Sequence, residues 1–173
     1  MEIQNKELHR IVLTAIVYKE EGGVVRYLIT KRNLQKNAFP GKWTVPGGGL
    51  EVDDYINTPK TTKDAWYFAV ESALRREIKE EVNLKVGKIR YLLDVIFIRP
   101  DGIPVVILSF YCPYDSGEVI LDEDSIDHAW VTYEEAKTYD LIEGLPEEIK
   151  MVNKILRGEN RDDVQYEGIR KNK

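Results

Sequence analysis

The stretch Arg76-Glu77-Ile78-Lys79-Glu80-Glu81-Val82-Asn83-Leu84 constrains this chain most, because it sets three carboxylates where a helix should be apolar. With Leu74 at zero on a wheel of about 100° per residue, Tyr67, Val70, Ile78 and Val82 fall within about 80° of it. Trp66, Ala69 and Ala73 extend the same arc. Glu81 at about −20°, Glu77 at about −60° and Glu80 at about −120° lie inside it, while Ser72, Arg75, Arg76, Lys79 and Asn83 take the solvent side. An amphipathic helix normally keeps charge off its core stripe. Three partly desolvated carboxylates within a turn repel and neutralise unless a cation holds them. Carboxylate-only ligation suits a hard ion, Mg²⁺ or Mn²⁺. The competing reading is a Glu-rich helix whose side chains reach round to water.

The neighbours favour the metal. Arg76 stands one turn before Glu80 and can brace it. Asn83 follows the last acidic turn, where a left-handed residue closes a helix. Upstream, Trp43-Thr44-Val45-Pro46-Gly47-Gly48-Gly49-Leu50-Glu51 is a side-chain-poor loop that lets backbone approach an ion or a phosphate. At these two places the chain resembles the Nudix hydrolases, the MutT-like family. Arg76, Glu77, Ile78, Glu80, Glu81, Asn83 and Leu84 match the second half of the family signature, with Asn83 where the family has Gly. Gly48 matches its opening glycine. Counting on from Gly48 puts Asp54 at the signature's intermediate Glu, and counting back from Arg76 puts Phe68 there. Either Asp54 takes that role or it is vacant, and residues 55–70 hold an insertion of roughly fourteen residues relative to the signature.

The resemblance implies an α+β fold of the Nudix type, an α/β/α sandwich around a mixed sheet. It implies metal-dependent hydrolysis of a phosphoanhydride in a nucleoside diphosphate-linked substrate, either a nucleoside triphosphate or an ADP-ribose-like compound. By the same resemblance Glu77, Glu80, Glu81 and the Gly47 carbonyl are metal ligands, and Arg76 orients them. Some relatives take a general base from an acidic loop before the last strands. Here that loop is Leu121-Asp122-Glu123-Asp124-Ser125-Ile126-Asp127-His128, with Glu123 or Asp124 the candidate. Pro100 lies about sixteen residues beyond Leu84, near a proline position of the family's ADP-ribose hydrolases, but Pro100-Asp101-Gly102 is also a plain turn. For substrate contacts the candidates are Arg32 for phosphate, Gly48 for close backbone approach, and Trp66 and Phe97 for base stacking.

Composition bounds the rest. The chain of 173 residues, 43% hydrophobic, is enough for one core. We expect a single domain over residues 1–158 and a polar tail over 159–173. A net charge of −5 gives no pull towards nucleic acid or a membrane surface, so the expected partner is a small nucleotide, with a homodimer left open. The one cysteine, Cys112, excludes an internal disulfide and lies in an apolar run that reads as core. No apolar run reaches membrane-spanning length, so the expected location is cytoplasmic. A non-hydrolytic nucleotide sensor of the same fold is the alternative function. It fits less well, because only about forty residues follow Val131 and the Glu77, Glu80 and Glu81 set is intact.

Along the chain, residues 11–18 and 24–30 read as a hairpin and 43–45 as a short strand. A long helix is expected from Asp64, as N-cap, to Val82. Residues 89–99 and 103–111 read as strands, as do 119–121 and 129–131. Thr132-Tyr133-Glu134-Glu135 forms a capping box. Pro146 opens a last helix reaching Leu156, stopped by Gly158.

Overall fold

In the computed structural model, which describes residues 6–99 and 101–167, the chain folds as a mixed eight-stranded sheet between two helical layers. Strand β1 (Arg10–Glu21) occupies the middle. Its outer half pairs antiparallel with β2 (Val24–Arg32) through the expected Gly22-Gly23 turn. Its inner half takes the glycine strand β4 (Gly47–Gly49) as an antiparallel neighbour. Along its other edge β1 runs parallel to β7 (Pro104–Ser116), from Arg10↔Val105 to Tyr18↔Pro113. Strand β3 (Trp43–Thr44) and β8 (Ser125–Val131) extend the sheet from β2, while β5 (Lys85–Val86) and β6 (Arg90–Ile98) extend it from β7.

Alternation along β1 sends Leu13, Ala15 and Val17 to one face and Ile16 to the other. Helix α2 (Ala69–Val82) covers the first face with Ala73, Leu74, Ile78 and Val82. Each of its larger side chains contributes about 1.5–3 kcal/mol of burial. The second face is covered by α3 (Tyr133–Ala136) and α4 (Leu145–Leu156), through Ala136, Leu145, Ile149, Met151 and Val152. Val164 is buried in that same layer, so part of the polar end packs against the domain. Cys112 is buried in the α2 layer, where desolvation pushes its thiol up to about 12. Among the described residues no helix is long and apolar enough to cross a membrane.

The long helix starts later than the sequence predicts. Short α1 (Asp53–Ile56) comes first, and residues 57–68 are not helical. The threonines compete for the amides that a helical turn would need. Thr62 Oγ1 accepts from the Ala65 N–H and Thr61 Oγ1 from the Tyr67 N–H. Phe68 then turns left-handed at φ 64°, so regular helix begins only at Ala69. Trp66, Tyr67 and Phe68 therefore stand outside the helix. Residues 119–121 form no strand, contrary to expectation. The hairpin of β6 and β7, the capping box of Thr132 with Glu135, and Pro146 in the first turn of α4 are as read from the sequence. Pro100, weighed in the sequence as a family proline or a plain turn, lies outside the described residues.

Candidate active site

Helix α2 ends as its sequence predicts, with Asn83 left-handed at φ 56°, ψ 25°. Helix termini leave carbonyls unpaired, and here the segment after β7 supplies the donors. The Ile120 N–H donates to the Val82 carbonyl at 3.3 Å and the Asp122 N–H to the Glu81 carbonyl at 3.2 Å. The Asn83 side chain donates to the Glu118 carbonyl at 3.2 Å. This docking is what the strand expected at 119–121 becomes. It sets the acidic loop beside the acidic turn of α2, and carboxylate oxygens of Glu81, Asp122 and Asp124 lie within 4.8 Å of one another.

The glycine strand closes the site from the sheet side. The Gly47 N–H donates to Glu81 Oε2 at 2.8 Å. A side chain at Gly48 would overlap the Glu77 carboxylate, so that glycine is required for Glu77 to lie on β4. At Gly47, φ +150° and the Leu13 carbonyl leave no room for one either. Burial pushes Glu81 up to about 8, aided by repulsion from Glu77, Asp122 and Asp124 and opposed by the Gly47 N–H. Burial also raises Glu77 and outweighs its ion pair with Arg76. Asp122 is raised chiefly by burial as well. Carboxyls so crowded and desolvated form the donor set that a hard divalent cation neutralises.

Arg76 ties the rim together. It donates to Glu80 at 2.7 Å and pairs with Glu77 at 2.9 Å. Its Nε donates to Asp54 Oδ1 at 2.5 Å and its Nη2 to Asp54 Oδ2 at 3.1 Å. Asp54 also accepts the Glu51 N–H, and Arg76 holds its carboxyl below the ordinary carboxylate range. Glu51, Asp53, Asp54, Ser72, Arg76 and Glu80 line an open cavity of about 410 Å³ next to the carboxylates.

Of the residues singled out in the sequence, Glu77, Glu81, Gly47, Gly48, Arg76 and Asp124 come together. Glu80 is a correction to the wheel: its side chain is 58% exposed, drawn out to Arg76 rather than held in the apolar arc. Glu123 is exposed, and its carbonyl accepts from the Asn33 amide. Arg32 donates to the Ala38 carbonyl, within the loop that follows β2. Trp66 donates to the Thr58 carbonyl and packs on Tyr55, inside the insertion. Phe97 lies on outer strand β6, paired with Val105. Two residues escaped the sequence reading. Asp122 joins the cluster through its backbone bond to the end of α2, and Lys36 meets Asp124 at 2.5 Å. Asp122 lies in the acidic loop singled out in the sequence, beside the candidates Glu123 and Asp124, whereas Lys36 carries no local motif that could have marked it.

A family model for the NUDIX domain matches residues 8–153. Among curated proteins the chain is similar to a nucleoside triphosphatase NudI of Klebsiella pneumoniae, 33% identical over 125 residues, covering 66% of this chain and 79% of that protein. The NudI of an Enterobacter strain is 32% identical over 127 residues, covering 68% and 80%. Among solved structures, the NUDIX domain of Shewanella oneidensis NrtR complexed with ADP ribose superposes with a TM-score of 0.68 at 15% identity, over 87% of this chain and 90% of that one. A MutT protein of Methanosarcina mazei gives 0.63 at 19% identity, over 89% and 99%. At such identities the likeness establishes the fold alone.

Proposed function

Because the chain belongs to the Nudix family of hydrolases, we propose that it is a metal-dependent nucleoside triphosphate pyrophosphohydrolase. Water adds to one phosphorus, the P–O–P bridge breaks, and a nucleoside monophosphate and pyrophosphate leave. The observation that carries this reading is the convergence of Glu81, Asp122 and Asp124 within 4.8 Å beside a strand made only of glycines. The triphosphate is preferred over ADP-ribose because the curated relatives described above are nucleoside triphosphatases.

The residues fit a hard divalent cation, Mg²⁺ or Mn²⁺. Glu77, Glu80, Glu81 and the Gly47 carbonyl would hold it, with Asp122 at the edge of the same set. Such an ion offsets the charge that builds on phosphate oxygens during transfer. Arg76 keeps Glu77 and Glu80 aimed from the rim. Asp124 accepts the proton of the attacking water, since the structure brings it to Glu81 while Glu123 stays exposed. Lys36, ion-paired to Asp124, offers its ammonium to a phosphate oxygen.

The test is a panel of nucleoside triphosphates, nucleotide sugars, ADP-ribose and dinucleoside polyphosphates, assayed for phosphate and pyrophosphate release with Mg²⁺ and with EDTA. Metal-dependent pyrophosphate release from triphosphates is expected. Nucleotide binding without turnover of any substrate would establish the sensor instead.

A further inference from the structure

Strand β6 is an outer strand: it pairs with β7, and among the described residues no strand lies on its other side. Its register fixes which backbone groups that free edge presents. The Arg99 N–H donates to the Ile103 carbonyl at 3.0 Å, and Ile98 stands opposite Pro104, which has no N–H to give. Bonded and unbonded positions alternate along an antiparallel pair. Leu93, Val95, Phe97 and Arg99 therefore turn their N–H and C=O groups towards β7, while Asp94, Ile96 and Ile98 turn theirs outwards. An open edge of this kind is a template for another strand, and soluble proteins commonly guard it with lysine, proline or unpaired charge.

This edge carries no such guard. Between Arg90 and Ile98 there is no lysine or proline, and the one acid, Asp94, accepts from the Tyr91 hydroxyl at 2.5 Å. Arg99, just beyond the strand, pairs with Asp101 at 2.7 Å. The charges of Arg90, Asp94, Arg99 and Asp101 cancel, so the net charge of −5 lies elsewhere and does not oppose self-association here. Both faces of the edge are apolar. Leu93 packs in the α4 layer, and Leu108, opposite Asp94, in the α2 layer. Alternation then puts Val95 and Phe97 on the α4 face, and Ile96 and Ile98 on the α2 face. Ile96 is 62% exposed, Ile98 38% and Val95 37%. Exposed aliphatic side chains on both faces of an unpaired backbone mark a protein interface.

We propose that two copies of this chain dimerise by antiparallel pairing of β6 with β6 about a two-fold axis at Ile96. Only outward-facing residues can exchange backbone hydrogen bonds across the new seam. An axis at Ile96 sets Ile96 against its own counterpart and Asp94 against Ile98 of the second copy, twice over, for about six such bonds. Val95 falls opposite Phe97, a favoured aromatic pair with a β-branched residue. An axis at Val95 would run the pairing into the irregularity between Tyr91 and Leu93. An axis at Phe97 would set Asp94 against Pro100, which has no N–H. Pairing residues 93–99 of both copies buries on the order of 1,000 Å² in all, the lower limit for a specific interface, so the dimer is reversible. The seam stays clear of the carboxylates. Gly49, Val12, Ile107 and Val95 stand in one row across β4, β1, β7 and β6, which puts β6 three strand spacings, about 15 Å, from the glycine strand. The inference is independent of the hydrolase reading.

Sedimentation velocity of the full chain from about 1 μM to about 1 mM should show monomer passing to dimer and stopping there. Ile96→Lys sets two ammonium groups against each other at the axis and should weaken dimerisation at least about a hundredfold. Ile96→Glu should do the same, and an equimolar mixture of the two variants should dimerise again, because residue 96 faces only itself. Thermal melts check that each variant folds, as expected at so exposed a position. Single cysteines read the register independently of those variants. Cys112 is buried, so the thiol of Ile96→Cys is the accessible one. Its two copies lie about 5.5 Å apart between Cα atoms, within disulfide reach, whereas those of Ile98→Cys lie about 14 Å apart. Oxidation should cross-link the first and not the second. A monomer throughout the range overturns the proposal and leaves the edge to an extended segment of another protein. Association that continues past the dimer, a dimer indifferent to Ile96→Lys, a mixture that stays monomeric, or equal cross-linking of both thiols overturns it too.

Discussion

Replacing Glu81 by Gln should make the metal-free protein more stable while abolishing most of its turnover. Burial and three acidic neighbours push this carboxyl from about 4.5 to about 8. A folded-state value above the unfolded one means that the folded protein holds a proton which the unfolded chain releases. The stability tied to that proton is complete below about pH 4.5 and is lost as pH rises to about 8. At pH 7 the loss is about 3 kcal/mol, from about 3.5 units at about 1.36 kcal/mol each, less the fraction not yet titrated. Asp122 shares the same crowding, so the part relieved by Gln is about 2 kcal/mol. Gln also keeps an acceptor for the Gly47 N–H. For a chain of this size that is a rise in Tm of about 4–8 °C in EDTA at pH 7, shrinking towards zero near pH 4. Mg²⁺ at about a hundred times its Kd should return about 2.7 kcal/mol to the wild-type protein and little to the variant. Turnover should fall about a hundredfold or more, as for loss of a group that stabilises transition-state charge. Thermal melts across pH with and without Mg²⁺ check each part. A variant less stable than wild type in EDTA, or equally stabilised by Mg²⁺, would refute the assignment of Glu81 to a cation site.

Gly48→Ala should displace the Glu77 carboxylate, a flexible group that can move aside, so turnover drops at least about tenfold while Tm changes little; kinetics and melting of one preparation check both. Asn83→Gly should be near neutral, because the left-handed backbone suits Gly, whereas Asn83→Val should cost about 1 kcal/mol or more by chemical denaturation. Shortening the insertion across residues 57–65 should change KM or substrate ranking more than kcat on the best small substrate. The segment follows α1, whose Asp53 and Asp54 line the cavity with Arg76 and Glu80.

What the sequence disclosed was local in origin. The apolar stripe of α2, its left-handed stop at Asn83, the glycine strand and the capping box each depend on residues a few positions apart. The wheel went wrong at Glu80, since it carries angle but not reach, and a long side chain near the stripe's edge follows its partner Arg76 into solvent. The start of α2 was misread at Asp64. Propensity gave a plausible N-cap there, but Thr61 and Thr62 take the amides of Tyr67 and Ala65 for themselves. Within the acidic loop Asp122 could not be told from Glu123 and Asp124, because its position follows from two amides that find the end of a helix about forty residues earlier.

The insertion also explains what became of the signature's intermediate acid. The sequence left two answers, Asp54 in that role or the position vacant. Both Asp54 oxygens are committed, Oδ1 to Arg76 Nε and Oδ2 to Arg76 Nη2 and the Glu51 N–H, and the side chain is 3% exposed. A carboxylate so occupied faces the guanidinium rather than a cation, and Arg76 has lowered its affinity for protons. Residues 54 and 76 are the two feet of the inserted segment. Their fork-to-fork bond closes that loop at the site's rim, and closure entropy grows only slowly with loop length. The position is therefore neither vacant nor devoted to metal. It holds Arg76 at the angle from which that residue braces Glu77 and Glu80, so the chain can carry an insertion between the glycine strand and the acidic helix without losing their alignment.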